Sequence, residues 1–261
     1  MAYHETVCRA GRTEMHAKYY SIRCNDGKER GPELRAKKSM PTTEQQRAIN
    51  RRKSEQMLTR ILNANFGKRD WYITYSYDVK HRPENSEQFK RQIKQLLKRL
   101  RKVYQNAGTV FRYVWVAEIG ARGATHIHMV QNGINLDLLR EVWPYGYLSI
   151  KPMDASGSYW KLANYFMKYS DKTMKTEGRL QGKRYNCSKN LVRPEPEKKY
   201  IRKRRKFDPD QIHIPKGWYL EQETLVTGVD ANGYEYLRYT LVMLPGYEGR
   251  NRRKKKCQTK D

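Results

Sequence analysis

The chain has 261 residues, of which 38% are apolar, and this is enough for a packed core in at least part of the molecule. Lysine and arginine number 54 against 27 aspartate and glutamate residues, a formal net charge of +27, so the expected partner is a polyanion such as nucleic acid. No apolar run approaches the roughly 20 residues that a membrane-spanning helix needs, and the first residues lack a signal-peptide core. The four cysteines form no C-x-x-C pair, which argues against a zinc ribbon. We therefore expect a cytoplasmic protein with no membrane contact.

Composition divides the chain into three zones. Residues 1–41 are polar and basic without a clear apolar period, which predicts an N-terminal arm that orders only on binding. Residues 42–175 carry the strongly periodic segments and are expected to form the main domain, beginning with a basic amphipathic helix. Residues 176–261 predict a basic C-terminal extension that contains a β-hairpin within Trp218–Leu244 and ends in a Lys/Arg tail.

Within the main domain, periodicity and turn residues define the elements. The segment from Asn85 to Tyr104 places apolar residues at offsets 0, 4, 7, 8, 11, 14 and 15 from Phe89, which is the stripe of an amphipathic helix. Aromatic and β-branched segments predict strands, and the turn-forming GARGA between two of them predicts a hairpin. In chain order the prediction is strand Trp71–Asp78, helix Asn85–Tyr104, strands Thr109–Ile119 and Thr125–Gly133, a short helix Asn135–Trp143, strand Gly146–Pro152 and helix Ser158–Lys172.

This order of elements indicates an α+β fold. Strand, helix, strand, strand, helix, strand is the split βαββαβ arrangement of ferredoxin-like folds, which is followed here by one extra helix. Such a fold has an antiparallel sheet with helices on one face. The other face is expected to be open for a ligand or for the extra helix.

Two histidines in the segment THIHMV are candidate metal ligands. Residues two apart in a strand point to the same face, so His126 and His128 can hold one divalent ion together. Glu118, near the end of the preceding hairpin strand, can bring a carboxylate beside them. Two histidines and one carboxylate leave coordination positions open for a phosphate oxygen.

The last helix carries the segment NYFMKYSDK. With about 100° per residue, Tyr165, Tyr169, Lys161, Lys168 and Lys172 share one face of this helix. Taken alone, the tyrosines are as well explained by half-buried packing and the lysines by a solvated surface. Beside a metal site, however, a phenol is a candidate nucleophile, and neighbouring lysines would favour the phenolate. The opposite, apolar face is expected to pack on the sheet, through Trp160, Ala163, Phe166 and Met167.

Together these motifs resemble the HUH endonucleases of rolling-circle replication, in particular the two-tyrosine initiators of phages, plasmids and mobile elements. The resemblance spans Trp71 to Lys172: the strand WYITYSYD lies where that family has its first motif, HIH matches its histidine motif, and YFMKYSDK matches Y-x-x-K-Y-x-x-K. The segment Arg184–Pro194 also resembles a sequence downstream of the tyrosine helix in some relatives.

The resemblance implies a mechanism and its residues. Tyr165 or Tyr169 would attack the scissile phosphate of single-stranded or hairpin origin DNA and leave a 5′-phosphotyrosine and a free 3′-OH, with Lys168 and Lys172 contacting phosphate. Mg or Mn would be held by His126, His128 and Glu118. The second tyrosine would cut the regenerated origin while the first releases its strand, and rejoining completes the cycle.

Other basic residues predict contacts with the DNA backbone that carry little sequence information. They are Lys161, Arg202, Lys203, Arg204 and Arg205. The chain has no phosphate-binding G-x-x-x-x-G-K-[ST] loop, so a host helicase would separate the strands, a host polymerase would extend the 3′-OH, and both would act in the bacterial cytoplasm.

Two other functions remain open from the sequence. A non-catalytic module that binds single-stranded nucleic acid could use Trp71, Tyr75 and Tyr77 to stack on bases along an open sheet face, although these residues are as readily explained as core packing. The same nicking chemistry would also serve a transposase or a mobilisation relaxase.

Overall fold

The computed structural model describes residues 2–20, 44–120, 123–175, 180, 182–202, 207–230 and 233–247. These residues contain three α-helices and eleven β-strands, and none of their helices is long and apolar enough to cross a membrane. In chain order the elements are β1 Tyr3–Ala10, β2 Thr13–Tyr19, α1 Glu44–Asn65, β3 Trp71–Tyr77, α2 Ser86–Asn106, β4 Tyr113–Ile119, β5 Thr125–Gln131, β6 Gly146–Pro152, α3 Trp160–Lys175, β7 Asn186–Cys187, β8 Glu197–Ile201, β9 Trp218–Leu220, β10 Val226–Val229 and β11 Glu235–Met243.

The chain forms two compact units. The central unit is Ala48–Val192, and the terminal unit combines Met1–Arg47 with Arg193–Asp261. Each unit contains one antiparallel sheet, so the predicted α+β class is confirmed. In the central unit the strand order is β6-β3-β5-β4-β7. The ferredoxin-like assignment of this sheet stays a prediction.

Helices cover both faces of the central sheet. Helix α2 packs on one face against side chains such as Tyr75, Trp115 and Met129, and α1 and α3 pack on the other face against residues that include Val114 and Val130. The expectation of helices on one face is therefore wrong, because the leading helix α1 joins α3 on the second face. The residues of each strand alternate between two apolar layers, which is why the sheet can be buried on both sides.

The segment after β5 contains less helix than the sequence predicted. Only Leu136–Leu139 is helical, as a single 3-10 turn in which the Asn135 side chain accepts a hydrogen bond from the Asp137 amide. Leu139 is the buried residue of this turn. Pro144 follows closely, and proline disfavours helical backbone at the residue before it, so the turn does not extend into a helix.

Helix α2 matches its sequence prediction closely. The side chain of Asn85 accepts hydrogen bonds from the Glu87 and Gln88 amides and so begins the helix. The predicted stripe faces the sheet, with Leu97 and Val103 at its partly exposed edge and with five fully buried members: Phe89, Ile93, Leu96, Leu100 and Tyr104. The helix is thus held by packing of its apolar stripe on the sheet.

The terminal unit corrects the expectation for the N-terminal zone. Residues expected to form an arm, 1–41, include the hairpin of β1 and β2, which turns at Gly11 with a positive φ of 58°. The sheet order is β10-β11-β2-β1-β8, with β9 also paired to β11, so the N-terminal hairpin lies between strands from the C-terminal part of the chain. Because the partner strands are distant in sequence, no local pattern reveals this pairing. The predicted C-terminal hairpin is confirmed as β10 with β11.

A first prediction concerns the core under α2. Leu96→Ala should lower the free energy of unfolding by about 2–5 kcal/mol, because Leu96 is fully buried and its removal leaves a cavity. Leu97→Ala removes the same atoms at a partly exposed position and should cost clearly less. Urea unfolding followed by circular dichroism measures both, and equal losses would contradict the assigned orientation of the helix.

A second prediction concerns pH and the terminal sheet. A hydrogen bond with His16, together with Arg9 at 2.8 Å, lowers the pKa of Glu14 from 4.5 to about 2 against the opposing effect of burial. The folded state therefore binds fewer protons than the unfolded chain between these pH values, so this stabilisation is present above pH 4.5 and is lost as pH falls towards 2. Glu14→Gln should lower the thermal unfolding midpoint at about pH 5, and its difference from the wild type should shrink as pH approaches 2. A difference that stays constant with pH would rule this out.

Candidate active site

Strand pairing brings the candidate ligands together on one face of the central sheet. In the register of β4 and β5, Glu118 lies opposite His126. His128 follows two residues later on the same face of β5, and β3 places Thr74 opposite His128 and Ser76 opposite His126. The structure thus brings together the two histidines and the carboxylate that the sequence selected.

Hydrogen bonds fix the orientation of both imidazole rings. His128 Nε2 lies 2.9 Å from Glu118 Oε2, and because a carboxylate can only accept, this nitrogen donates. In the neutral ring Nδ1 then accepts, and the hydroxyl of Tyr72 donates to it at 2.8 Å, with Thr74 Oγ1 at 3.2 Å. His126 Nδ1 lies 3.0 Å from Ser76 Oγ. Hydroxyl groups of β3 therefore hold the Nδ1 side of both rings.

These β3 residues were missed in the sequence analysis. That analysis treated β3 as a source of aromatic side chains, whereas its polar residues Tyr72, Thr74 and Ser76 alternate with the buried Ile73 and Tyr75. The period of two in WYITYSY is the signal that assigns one set to the histidine face and the other to the core. Its partner residues can be identified only from the pairing of β3 with β5.

Helix α3 lies over the histidine face and carries both tyrosines. The Tyr169 ring stacks on His128 with 4.2 Å between centroids and 9° between planes. Tyr165 meets Tyr169 edge to face at 4.3 Å, and its ring centroid is 6.4 Å from that of His128. Tyr165 is 47% exposed and Tyr169 only 9%. The two phenols therefore lie at one site but in different environments.

Several contacts hold α3 in this position. The predicted apolar face is buried, with Ala163, Phe166 and Met167 among the residues that pack over the sheet. The Thr173 hydroxyl donates to the backbone oxygen of Ala117 at 2.9 Å, which fixes the helix against β4. On another side of the helix Asp171 accepts a hydrogen bond from Arg51 of α1 at 2.6 Å and one from Arg184. None of these polar contacts was evident from the sequence, since each joins distant segments.

The lysines of α3 differ in their surroundings. Lys172 Nζ is 3.7 Å from Glu118 Oε1 and is thus close to the candidate ligands. Lys168 is exposed, and Lys161 is exposed with its Nζ 5.5 Å from the centroid of the Trp160 ring. The sequence placed all three on the tyrosine face, and the structure leaves all of them accessible to an anionic ligand.

The site has perturbed ionisation equilibria, and burial is the largest cause of each shift. Burial lowers the pKa of His128, although the hydrogen bond and the charge of Glu118 oppose this effect. Burial raises the pKa of Tyr72 to about 12. Burial, with a hydrogen bond from Tyr165 and the nearby charge of Glu118, raises the pKa of Tyr169 well above its usual range. Tyr169 therefore remains a neutral phenol in this arrangement.

The residues present are suited to a divalent metal ion, but the metal stays a prediction. Among the described residues no group of three or more His, Cys, Asp or Glu side chains is arranged as a metal site. His128 Nε2 and Glu118 Oε2 instead share a hydrogen bond, whose proton a metal ion would have to replace. Imidazole nitrogen and carboxylate oxygen are donors that Mn²⁺ accepts, and the hydroxyls on Nδ1 provide the orienting contacts common around such ligands.

The remaining predicted residues lie away from this site or outside the described residues. Arg202 is exposed and directly follows β8 in the terminal unit, whereas Lys203, Arg204 and Arg205 lie outside the described residues. Tyr75 and Tyr77 are buried against α2. These two rings are core residues, which settles the choice between packing and base stacking that the sequence left open for them.

Comparison with known proteins gives the family of the central segment. Residues 70–174 match the model of a family described as Replication-associated protein, of the ORF2 type. This segment is a replication-associated protein domain. The domain begins just before β3, ends in the last turn of α3 and contains Glu118, both histidines and both tyrosines. It covers less than half of the chain, and no curated protein and no solved structure matched the chain.

The match bears on the sequence predictions at the level of the family. The expected similarity to replication initiators is confirmed, and the replication-associated protein domain supports a role in replication initiation. The two-tyrosine HUH type stays a prediction. The segment Arg184–Pro194 lies beyond the matched residues.

The different exposure of the two phenols gives a third prediction. N-acetylimidazole should acetylate Tyr165 in the native protein and leave Tyr169 largely unmodified, because only the hydroxyl of an exposed ring is accessible to the reagent. Mass spectrometry of tryptic peptides measures the modification at each site. Tyr147, which is exposed, and Tyr75, which is buried, are the positive and negative controls within the same chain. Equal modification of both active-site tyrosines would contradict the stacked arrangement.

Proposed function

We propose that the protein is a rolling-circle replication initiator that nicks single-stranded or hairpin origin DNA through a tyrosine and later rejoins the strand. The observation that supports this proposal best is the stack of Tyr169 on His128, with Tyr165 beside it and Glu118 hydrogen-bonded to the same histidine. A phenol pair, two imidazoles and a carboxylate within one replication-associated protein domain form a suitable set for phosphoryl transfer.

The proposed step exchanges one phosphodiester for another. The phenolic oxygen attacks the scissile phosphorus and loses its proton, and the bond from phosphorus to the 3′-oxygen breaks. The products are a 5′-phosphotyrosine and a 3′-OH that takes up a proton and primes synthesis. Rejoining is the reverse attack by a 3′-OH. Because the number of phosphodiester bonds does not change, neither step requires ATP.

We assign the first attack to Tyr165. Its ring is half exposed, so DNA can reach its hydroxyl without a rearrangement of α3, whereas Tyr169 is stacked on His128 and its raised pKa disfavours the phenolate. Tyr169 would act after its ring leaves the stack, for example once a strand already linked to Tyr165 occupies the site. The two tyrosines would then serve the initiation and termination cuts in that order.

Positive groups around the tyrosines would bind the phosphate. Lys168 is exposed beside both phenols, and Lys172 is close enough to Glu118 to move between that carboxylate and a DNA phosphate. Mg²⁺ or Mn²⁺ held by His126, His128 and Glu118 would supply charge neutralisation at a phosphate oxygen. Lys161 and Arg202 to Arg205 would add backbone contacts of the salt-sensitive kind.

The proposal extends to the organisation of the chain and to its partners. Residues 42–175 would be the nuclease domain with its leading helix, and a host helicase and a host polymerase would act on the nicked origin in the bacterial cytoplasm. The rival of a stacking module is disfavoured, because helices cover both faces of the central sheet and Tyr75 and Tyr77 are buried. A transposase or relaxase would share the chemistry and differ only in its DNA site.

A fourth prediction tests the chemistry directly. Labelled single-stranded oligonucleotides that tile the DNA around the gene are incubated with the protein and Mn²⁺, and denaturing gels detect a covalent adduct. Tyr165→Phe should reduce adduct formation by roughly 100-fold or more, because Tyr169 is not positioned for attack while it is stacked. Tyr169→Phe should retain the first cut, and the double variant should form no adduct.

The controls separate chemistry from binding. Tyr147→Phe changes an exposed tyrosine outside the site and should leave the adduct unchanged. A chelator should abolish the adduct, and addition of Mn²⁺ should restore it, whereas ATP should have no effect. If every origin-derived strand is bound but none forms an adduct, the nicking proposal fails.

A further inference from the structure

Helix α2 has a strongly basic solvent face that the proposed nicking does not use. The helix contains seven lysine and arginine residues, and its single acidic residue is Glu87 in the first turn. Arg99 is partly buried and lies near the Tyr145 ring. The other six are exposed: Lys90, Arg91, Lys94, Lys98, Arg101 and Lys102.

The six cations form one continuous surface, which we call the α2 basic face. At 100° per residue they fall within an arc of about 120°, and at 1.5 Å per residue they extend over about 18 Å. Lys90, Lys94, Lys98 and Lys102 are successive i,i+4 neighbours along this arc. The side chains opposite this arc are the buried apolar stripe, so the basic face points away from the sheet.

The charges of this face are not neutralised within the described part of the chain. None of the six cations has a carboxylate within 4.0 Å there, in contrast to Arg9, Arg51 and Arg140, which all have such partners. Like charges at i,i+4 destabilise a helix, and a helix that is merely solvated more commonly alternates the sign of its charges. A row of like charges is explained when a polyanion neutralises it.

The surface is suited to a phosphate backbone rather than to unpaired bases. Single-strand binding surfaces combine cations with exposed aromatic rings on which bases stack. The exposed large apolar side chains of the described residues include none in α2. A straight row of cations without rings can contact the outward phosphates of a duplex, whose bases are already stacked on one another.

The α2 basic face also lies on the side of the sheet away from the tyrosines. Helix α2 packs on the layer that contains Tyr75 and Met129, whereas the tyrosine helix packs on the opposite layer with Val114 and Val130. At the end of α2, Arg101 lines an open cavity of about 730 Å³ together with Lys189, which continues the positive charge beyond the helix. DNA on this face would not compete with a strand at Tyr165.

From these observations we infer that the α2 basic face binds the sugar–phosphate backbone of double-stranded DNA. The protein would hold duplex on one side of the central sheet while the opposite side receives the single strand. The inference goes beyond the proposed nicking and does not depend on it, since duplex binding can be measured without any cleavage.

The test removes the i,i+4 row of charges. Glutamine has a helix propensity close to that of lysine, so the substitution removes charge with little effect on the helix. Fluorescence anisotropy with a labelled duplex of about 30 base pairs gives the dissociation constant between about 50 and 200 mM salt, and a single strand of the same length is measured in parallel. The variant is Lys90→Gln, Lys94→Gln, Lys98→Gln and Lys102→Gln together.

We expect the salt dependence of duplex binding to become shallower by roughly 3 to 4 in the slope of log K against log salt, because each lost phosphate contact removes about 0.9. Single-strand binding and the single-strand adduct should change much less. A net-charge-matched control neutralises four exposed cations elsewhere in the central unit and should change the duplex slope by less than about 1. It is Arg52→Gln, Lys53→Gln, Lys68→Gln and Arg69→Gln together.

Three outcomes would overturn the inference: the wild type fails to bind duplex, the two quadruple variants lose duplex affinity equally, or single-strand binding falls as much as duplex binding. The second outcome would mean that only the overall charge matters, and the third that the face carries a single strand. Circular dichroism of both variants verifies that α2 is still folded. Absence of an adduct in the wild type would contradict the nicking proposal and leave this test intact.

Discussion

The register of β5 between β3 and β4 is the constraint on which the candidate site depends. It places Glu118 opposite His126 on one side and Thr74 and Ser76 opposite the two histidines on the other. A shift of one residue in this pairing would turn every side chain of β5 to the other face and bury the imidazoles under α2. The register is strongly specified, because Ile127 and Met129 have to enter the apolar layer beneath α2.

The same apolar layers position the tyrosines. Helix α3 packs through Phe166 and Met167 on valines of β4 and β5, and this contact sets the height and rotation of the helix over His128. Both tyrosines lie within about 40° of each other around the helix axis, so their spacing in the sequence makes them look equivalent. The sheet removes this equivalence, since it lies under Tyr169 and leaves Tyr165 half exposed.

The positive charge of the central unit is distributed in a way that corresponds to its architecture. A sheet covered on both faces offers two outer helical surfaces, and here each carries lysines: α3 beside the candidate nucleophiles and α2 on the opposite side. The cations near the tyrosines come with a carboxylate, Glu118, that can bind Lys172 when no phosphate is present. Those of α2 have no such partner among the described residues, which is why the two surfaces are expected to meet different forms of DNA.

Local periodicity in the sequence was enough to determine α2, α3, the strands of the central sheet and the residues His126, His128, Tyr165 and Tyr169, because each of these features is written within one element. Tertiary structure alone decided three others. Tyr72, Thr74 and Ser76 contact the histidines only through strand pairing, α1 covers the face expected to be open, and the N-terminal residues form strands because C-terminal strands pair with them. These features depend on contacts between residues far apart in the chain, and the burial that distinguishes Tyr169 from Tyr165 is likewise a property of the packed sheet and helix rather than of either segment.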